Sequence, residues 1–333
     1  MPCVHLSSGK NFEAASDISL LEAATKAGVS LPYSCKTGRC STCKCRVLRG
    51  ETNALIEELG LTEMEKAEGW ILSCARTAAT DVVLEVEDLG DLLLPKARTL
   101  ACRISSLDKL APDVIKVILR LPPSTIFNFI PGQYIDVIGP GGIRRSYSLA
   151  NAPKAENTLE LHIRAVESGA MSQYWFNQSG VNDLLRLYGP QGTFFLRNIA
   201  KRDLIFLATG TGMAPVKSML EALPSLVAEQ QPASITVFWG VRHEHDLYFD
   251  VASLPGSQKY IPVLSRAEAT WQGGRGYVQD ALLRHISDLR NAAVYACGSD
   301  AMIHSAKSML TAAGLPSHYF YSDAFVCSSA LAP

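Results

Sequence analysis

The chain carries almost no net charge. Its 31 Lys and Arg stand against 32 Asp and Glu, leaving −1 at pH 7, so it lacks the basic surplus of a general nucleic-acid binder. It has no apolar run long enough to span a bilayer. The N-terminus, Met1-Pro2-Cys3-Val4-His5, has neither the basic nor the apolar region of a signal peptide. Internal repeats and low-complexity segments are missing as well. The expectation is a cytoplasmic globular protein with no membrane insertion and no nucleic-acid partner. Charged residues make up only 19% and apolar ones 47% of 333 residues, enough for two or three domains with real cores.

Cysteine is what the chain does have. There are nine, an odd number that suits a reducing compartment rather than a disulfide framework. Cys35, Cys40 and Cys43 fall in one short loop as C-x4-C-x2-C, and Cys74 follows at a distance. This is the plant-type spacing for a 2Fe-2S cluster. One tight loop supplies three thiolates, and a second element must close over the metal with the fourth. Small residues such as Gly38 and Ser41 let backbone N–H groups approach the cluster sulfurs. A zinc site is the competing reading, but zinc more naturally uses paired short spacings. Cys45 stands one residue past Lys44, outside the pattern, and is expected in a strand.

The surrounding elements can be placed from their patterns. Asp17–Ala27 reads as a short helix closed by Gly28. Lys44–Leu48 alternates as a strand, Thr62-Glu-Met-Glu65 opens a helix with a capping box, Trp70–Cys74 delivers the last ligand, and Val82–Val86 closes the segment. Residues 91–98 read as a linker. From 99 to 199, alternating runs at Cys102–Ser106, Val114–Leu121, Tyr134–Ile138, Leu159–Val166 and Leu184–Tyr188 predict an antiparallel barrel. From 200 to 333 the period changes. Apolar runs at Leu204–Ala208, Ile235–Trp239, Ile261–Leu264 and Val294–Ala296 alternate with helices, which predicts a doubly wound, mostly parallel sheet. Thr209-Gly-Thr-Gly212-Met-Ala-Pro215 follows its first strand, where glycines let a pyrophosphate approach a helix N-terminus.

Several stretches then resemble one family, the iron–sulfur flavoprotein reductases of the ferredoxin–NADP reductase superfamily. They are the cysteine loop, Pro131-Gly-Gln-Tyr134, Arg145-Ser-Tyr147-Ser148, Gly189-Pro-Gln-Gly192 and the glycine loop at Gly210. The resemblance implies a multidomain α+β and α/β chain. Residues 1–90 would form a β-grasp 2Fe-2S ferredoxin domain, 99–199 an antiparallel Greek-key FAD barrel, and 200–333 an NAD(P)H-binding domain.

The resemblance also implies roles. Arg145 meets the FAD pyrophosphate, Tyr147 packs on the flavin, and Ser148 reaches toward N5. The strand with His162 and Arg164 lies near FAD, although a strand histidine is more often structural. Gly169, Met171 and Ser172 begin a helix, Ser172–Gln178, that takes a phosphate. Gly210, Thr211, Gly212 and Pro215 hold the nicotinamide dinucleotide. Cys297 and Gly298 flank the nicotinamide, and Phe325 covers the flavin, ordinary core packing being the alternative. Arg242, Ser265 and Arg266 bear on NADH against NADPH; NADH is favoured, with Arg266 pointing the other way.

The expected activity is electron transfer from NAD(P)H through FAD and the cluster to a partner enzyme. Stretches such as Ala214-Pro-Val-Lys-Ser-Met219 and Phe320-Tyr-Ser-Asp-Ala-Phe325 resemble the reductases that serve the pyridoxamine phosphate-dependent dehydrase of CDP-3,6-dideoxyhexose synthesis. The reductase component of a bacterial oxygenase is the alternative, and a redox sensor or electron-carrier module a third. The family often has glycine where Ser41 stands, a departure that alters hydrogen bonding near the cluster without preventing assembly.

Overall fold

The computed structural model describes residues 1–90, 92 and 94–325. The predicted linker is therefore described only in part, and Cys327 and Val326 lie outside the described residues. Two compact units emerge, one of the described residues up to Leu94 together with Asp323–Phe325, the other comprising Pro95–Ser322.

The first unit is a five-stranded mixed sheet. Strands β1 (Cys3–Leu6) and β2 (Asn11–Glu13) form a hairpin, and helix α1 (Leu20–Lys26) follows. The helix is shorter than its pattern predicts because Ser19 caps it, its hydroxyl accepting from Glu22 N–H. Strand β3 (Lys44–Arg49) leaves the cysteine loop. After β4 (Thr52–Ala54) comes α2 (Glu63–Ala67), with the predicted capping box between Thr62 and Glu65. Strands β5 (Trp70–Leu72), β6 (Arg76–Ala78) and β7 (Val82–Glu85) complete it, in the order β2-β1-β7-β3-β5 with a separate β4–β6 pair. Leu20, Ala24, Leu72 and Leu84 are fully buried under the sheet.

The second unit holds two six-stranded sheets. The antiparallel one comprises β8 (Arg98–Ala111), β9 (Val114–Arg120), β10 (Tyr134–Ile138), β11 (Arg144–Ser148), β12 (Thr158–Arg164) and β13 (Leu184–Gln191), with α3 (Ala170–Gln173) before β13. β8 is much longer than the alternation suggests, and its first residue, Arg98, falls within the expected linker. Two register shifts absorb the irregular stretch that breaks the alternation. The predicted helix over 172–178 is instead α3 followed by a π-turn at Tyr174–Gln178.

The parallel sheet comprises β14 (Asp203–Thr209), β15 (Ser234–Val241), β16 (Lys259–Leu264), β17 (Gly274–Arg275), β18 (Ala292–Ser299) and β19 (Phe320–Phe325), with α4 (Met213–Ala222), α5 (Val278–His285) and α6 (Asp300–Ala312) between them. Leu204–Ala208 are buried throughout, as a strand covered on both faces must be. The order β17-β16-β15-β14-β18-β19 reverses between β14 and β18, which creates a crevice at their C-terminal ends.

Barrel and parallel sheet form one body because α4 is bonded to the barrel. Lys217 donates to Ala150 O at 3.0 Å, Ser218 to Asn151 O at 2.7 Å, and Glu221 accepts from Ala152 N–H at 3.0 Å.

Candidate functional site

The cysteine loop is shaped by three residues in the left-handed region, Lys36, Gly38 and Ser41. They curl the chain so that amides point at sulfur: Thr37 N–H donates to Cys35 Sγ and Cys35 N–H to Cys40 Sγ, both at 3.4 Å. Cys43 and Cys74 Sγ lie 3.2 Å apart. The thiols stand as two hydrogen-bonded pairs, Cys35 with Cys40 and Cys43 with Cys74, a donor set that fits a binuclear cluster. The hydrogen bond from Cys40, helped by Thr37, holds the Cys35 thiol down at about 5. Cys43 lowers Cys74 in the same way. The same hydrogen bonds, with burial, raise the partner thiols Cys40 and Cys43. Cys45 is different: it is fully buried in β3, paired with Ile71, and burial pushes its thiol up to about 12.

Ser41 occupies a position that favours glycine, at φ 59°. Its hydroxyl donates to Gly60 O at 2.5 Å, which offsets the backbone cost and ties the loop to the next segment.

In the barrel, Arg145 and Tyr147 stand opposite Val137 and Ile135 on one face of β11. Tyr147 Oη accepts from Trp175 Nε1–H at 3.0 Å, with the rings at 82°, and burial pushes its phenol up to about 12. Arg145 is exposed and Ser148 buried. Gly132 and Gln133 anchor the turn before β10. A Cβ on Gly132 would stand 2.0 Å from Phe194 O, and Gln133 donates to Gly192 O at 3.0 Å, so the two turn motifs pack on each other. Gly169 precedes α3, and Ser172 Oγ accepts from Val166 N–H at 2.8 Å. Met171 is buried against Gly139.

His162 corrects the expectation for its side chain. It is 6% exposed, with Nε2 at 2.8 Å from Glu160 and Nδ1 at 3.2 Å from Tyr248 Oη. Both ring nitrogens are occupied by protein groups, so the imidazole is structural.

The crevice joins residues far apart in sequence. A Cβ on Gly212 would lie 2.2 Å from Cys297 O, and one on Gly298 would lie 1.9 Å from Thr209 Oγ1. Gly210 faces Arg164, whose Nη1 is 2.8 Å from where its Cβ would be. Trp239 Nε1–H donates to Gly210 O at 2.9 Å. Thr211 completes the tight turn Gly210–Gly212, and Pro215 is buried in the first turn of α4. Trp175 and Trp239 were not legible as site residues; each acts by holding a motif residue, and no pattern of their own marks them.

At the ends of β15 and β16, Arg266 N–H donates to Arg242 O and Ser265 N–H to Val241 O, both at 3.0 Å. Both arginines are exposed. Phe325 ends β19 with 39% of its surface exposed, so it is no core residue.

Comparison with known proteins agrees with this layout. Residues 4–79 match the 2Fe-2S iron-sulfur cluster binding domain, 101–196 the oxidoreductase FAD-binding domain, and 206–308 the oxidoreductase NAD-binding domain. The chain is 40% identical over 325 residues to the CDP-6-deoxy-L-threo-D-glycero-4-hexulose-3-dehydrase reductase of Yersinia pestis, covering 96% of this chain and 97% of that one. It is 32% identical to the reductase component of phenol 2-monooxygenase from Pseudomonas sp., covering 91% and 88%. Among solved structures, a cytochrome P450 reductase of Amycolatopsis superposes with a TM-score of 0.77 at 27% identity, covering 99% and 100%. Among the described residues, no helix is long and apolar enough to cross a membrane.

Proposed function

The chain belongs to the iron–sulfur flavoprotein reductases that join a 2Fe-2S domain to FAD- and NAD-binding domains, and within that family we propose that its acceptor is the pyridoxamine phosphate-dependent dehydrase of CDP-3,6-dideoxyhexose synthesis. The carrying observation is that 40% identity to such a reductase runs through nearly the whole length of both chains, against 32% to an oxygenase reductase. When bound, the cofactors supply the redox chemistry, taking two electrons as hydride and releasing them singly.

The residues align and enclose them. Cys35, Cys40, Cys43 and Cys74 hold the cluster. Arg145 and Arg164 meet FAD phosphates beside Gly169, Met171 and Ser172; Tyr147 packs on the ring, and Ser148 supports N5. Gly210, Thr211, Gly212 and Pro215 shape the loop for the dinucleotide, Cys297 and Gly298 form the nicotinamide wall, and Phe325 covers the flavin. Arg242, Ser265 and Arg266 face the ribose end of the cofactor, for which NADH is the proposed donor. The proposed domains are 1–90, 99–199 and 200–333, in the cytoplasm.

Anaerobic incubation of the reconstituted protein with NADH, such a dehydrase and its CDP-4-keto-6-deoxyglucose substrate tests the acceptor. The reading predicts 3,6-dideoxy product that depends on this chain. Reduced flavin and cluster without product would transfer the assignment to an oxygenase.

A further inference from the structure

The segment Leu55–Gly60 lies flush against the cysteine loop. A Cβ on Gly38 would stand 2.3 Å from Glu57 O, and one on Gly60 would stand 2.8 Å from Arg39 O. Gly60 N–H donates to Gly38 O at 2.8 Å, and Leu55 N–H donates at 2.7 Å to the carbonyl of Ala75, beside Cys74. Both ends of the segment are therefore fixed to residues that carry or adjoin ligands. Beneath it, Glu58 is turned inward, 5% exposed, where it accepts from Leu72 N–H at 2.7 Å and from Arg76 Nε at 2.8 Å.

The inverted pattern leaves apolar side chains outside. Leu55 is 43%, Ile56 42%, Leu59 56% and, on the adjoining α2, Met64 70% exposed. Single exposed apolar residues are ordinary; four within ten positions at the edge of a redox loop are not. Residues 51–68 also contain six Glu and one Lys. Glu58 and Glu65 are engaged with Arg76 and Lys44, while Glu57, Glu63 and Glu68 remain exposed. An apolar centre with a charged margin is the anatomy of a transient protein interface. A second copy of this chain would bring glutamates against glutamates, so self-association does not fit.

We propose that Leu55, Ile56, Leu59 and Met64 form the surface on which the electron-accepting protein docks, and that this protein presents an apolar patch bordered by Lys or Arg. The proposal rests on the reading that electrons leave this chain through the cluster to a protein. Apolar contact supplies the affinity, and the glutamates supply steering that weakens with salt.

The test uses the full holoprotein with NADH and two acceptors, cytochrome c as a basic protein probe and ferricyanide as a small one. The variant Leu55→Gln/Leu59→Gln/Met64→Gln is expected to raise the KM for cytochrome c about tenfold and to leave ferricyanide reduction unchanged. Glu57→Lys/Glu63→Lys is expected to raise it at low ionic strength, with the difference shrinking as salt is added. Unchanged cytochrome c kinetics in both variants overturn the surface alone. A wild type that reduces neither acceptor from NADH overturns the electron-transfer reading and the surface with it.

Discussion

Cys43 and Cys74, 31 positions apart in sequence, bring their sulfur atoms to 3.2 Å, while Cys45, two positions from Cys43, is fully buried in β3 and pairs with Ile71. The chain leaving β5 after Leu72 carries Cys74 to the loop, whereas Cys45 lies within β3, paired against β5. The expected outcome is that Cys74→Ala loses the bound iron, whereas Cys45→Ala keeps it at a stability cost of about 1 kcal/mol. Iron content and thermal unfolding check both; a Cys45 variant without iron would contradict the ligand set.

Ser148 is the buried serine of β11, beside Tyr147, whereas Ser146 is exposed. If it supports the flavin during hydride transfer, Ser148→Ala slows NADH-driven flavin reduction about 10- to 100-fold, the worth of one charge-linked hydrogen bond. Stopped-flow absorbance measures this, and an unchanged rate removes the role.

Gly212 and Cys297 are in backbone contact. Gly212→Ala would place a Cβ 2.2 Å from Cys297 O and force the end of β18 away from the glycine loop, which on the proposed reading disturbs the nicotinamide site. NADH should then fail to reduce the flavin at ordinary concentrations, while dithionite still reduces flavin and cluster. Retained NADH kinetics would show that the crevice lies elsewhere.

Arg266 and Arg242 are joined through a backbone hydrogen bond at neighbouring strand ends. Arg266→Ala is expected to leave the KM for NADH within about twofold and to raise that for NADPH about tenfold, because only the latter carries the additional 2′-phosphate for the guanidinium to bind. Equal changes for both cofactors would detach Arg266 from the phosphate.

Glu160 links His162 and Lys217, the latter at 3.2 Å. Burial raises its carboxyl, but the His162 hydrogen bond and the Lys217 charge outweigh this and hold it at about 2, against an ordinary 4.5. The unfolded chain therefore takes up this proton first. The stability involved, about 3 kcal/mol, is complete above the ordinary value and is lost as pH falls toward the folded one. Burial also lowers His162, so acid acts in the same direction through both groups. Urea unfolding between about pH 6 and 3 should show a steep loss in wild type and a flatter profile in Glu160→Gln. Parallel profiles would contradict the coupling.

Much of this was legible because metal ligation and nucleotide binding impose spacing. The four cysteines, the glycine loop and the capping box at Thr62 each follow from one local requirement. The strand extents of the barrel were less legible, since the register shifts in β8 interrupt the alternation that marks a strand. The short α3 and its π-turn were missed because their residues keep an apolar face whichever helical hydrogen bonds form. His162 drew attention as a basic residue near the flavin strand, but its partners Glu160 and Tyr248 arrive through tertiary packing, which no local pattern encodes.

The most direct test of the central claim is rapid anaerobic mixing of the holoprotein with NADH, followed by flavin absorbance and by electron paramagnetic resonance of freeze-quenched samples. Flavin bleaching should come first and the signal of a reduced 2Fe-2S cluster second; Cys74→Ala should bleach without that signal. A cluster that stays oxidised in wild type while its flavin is fully reduced would contradict the account.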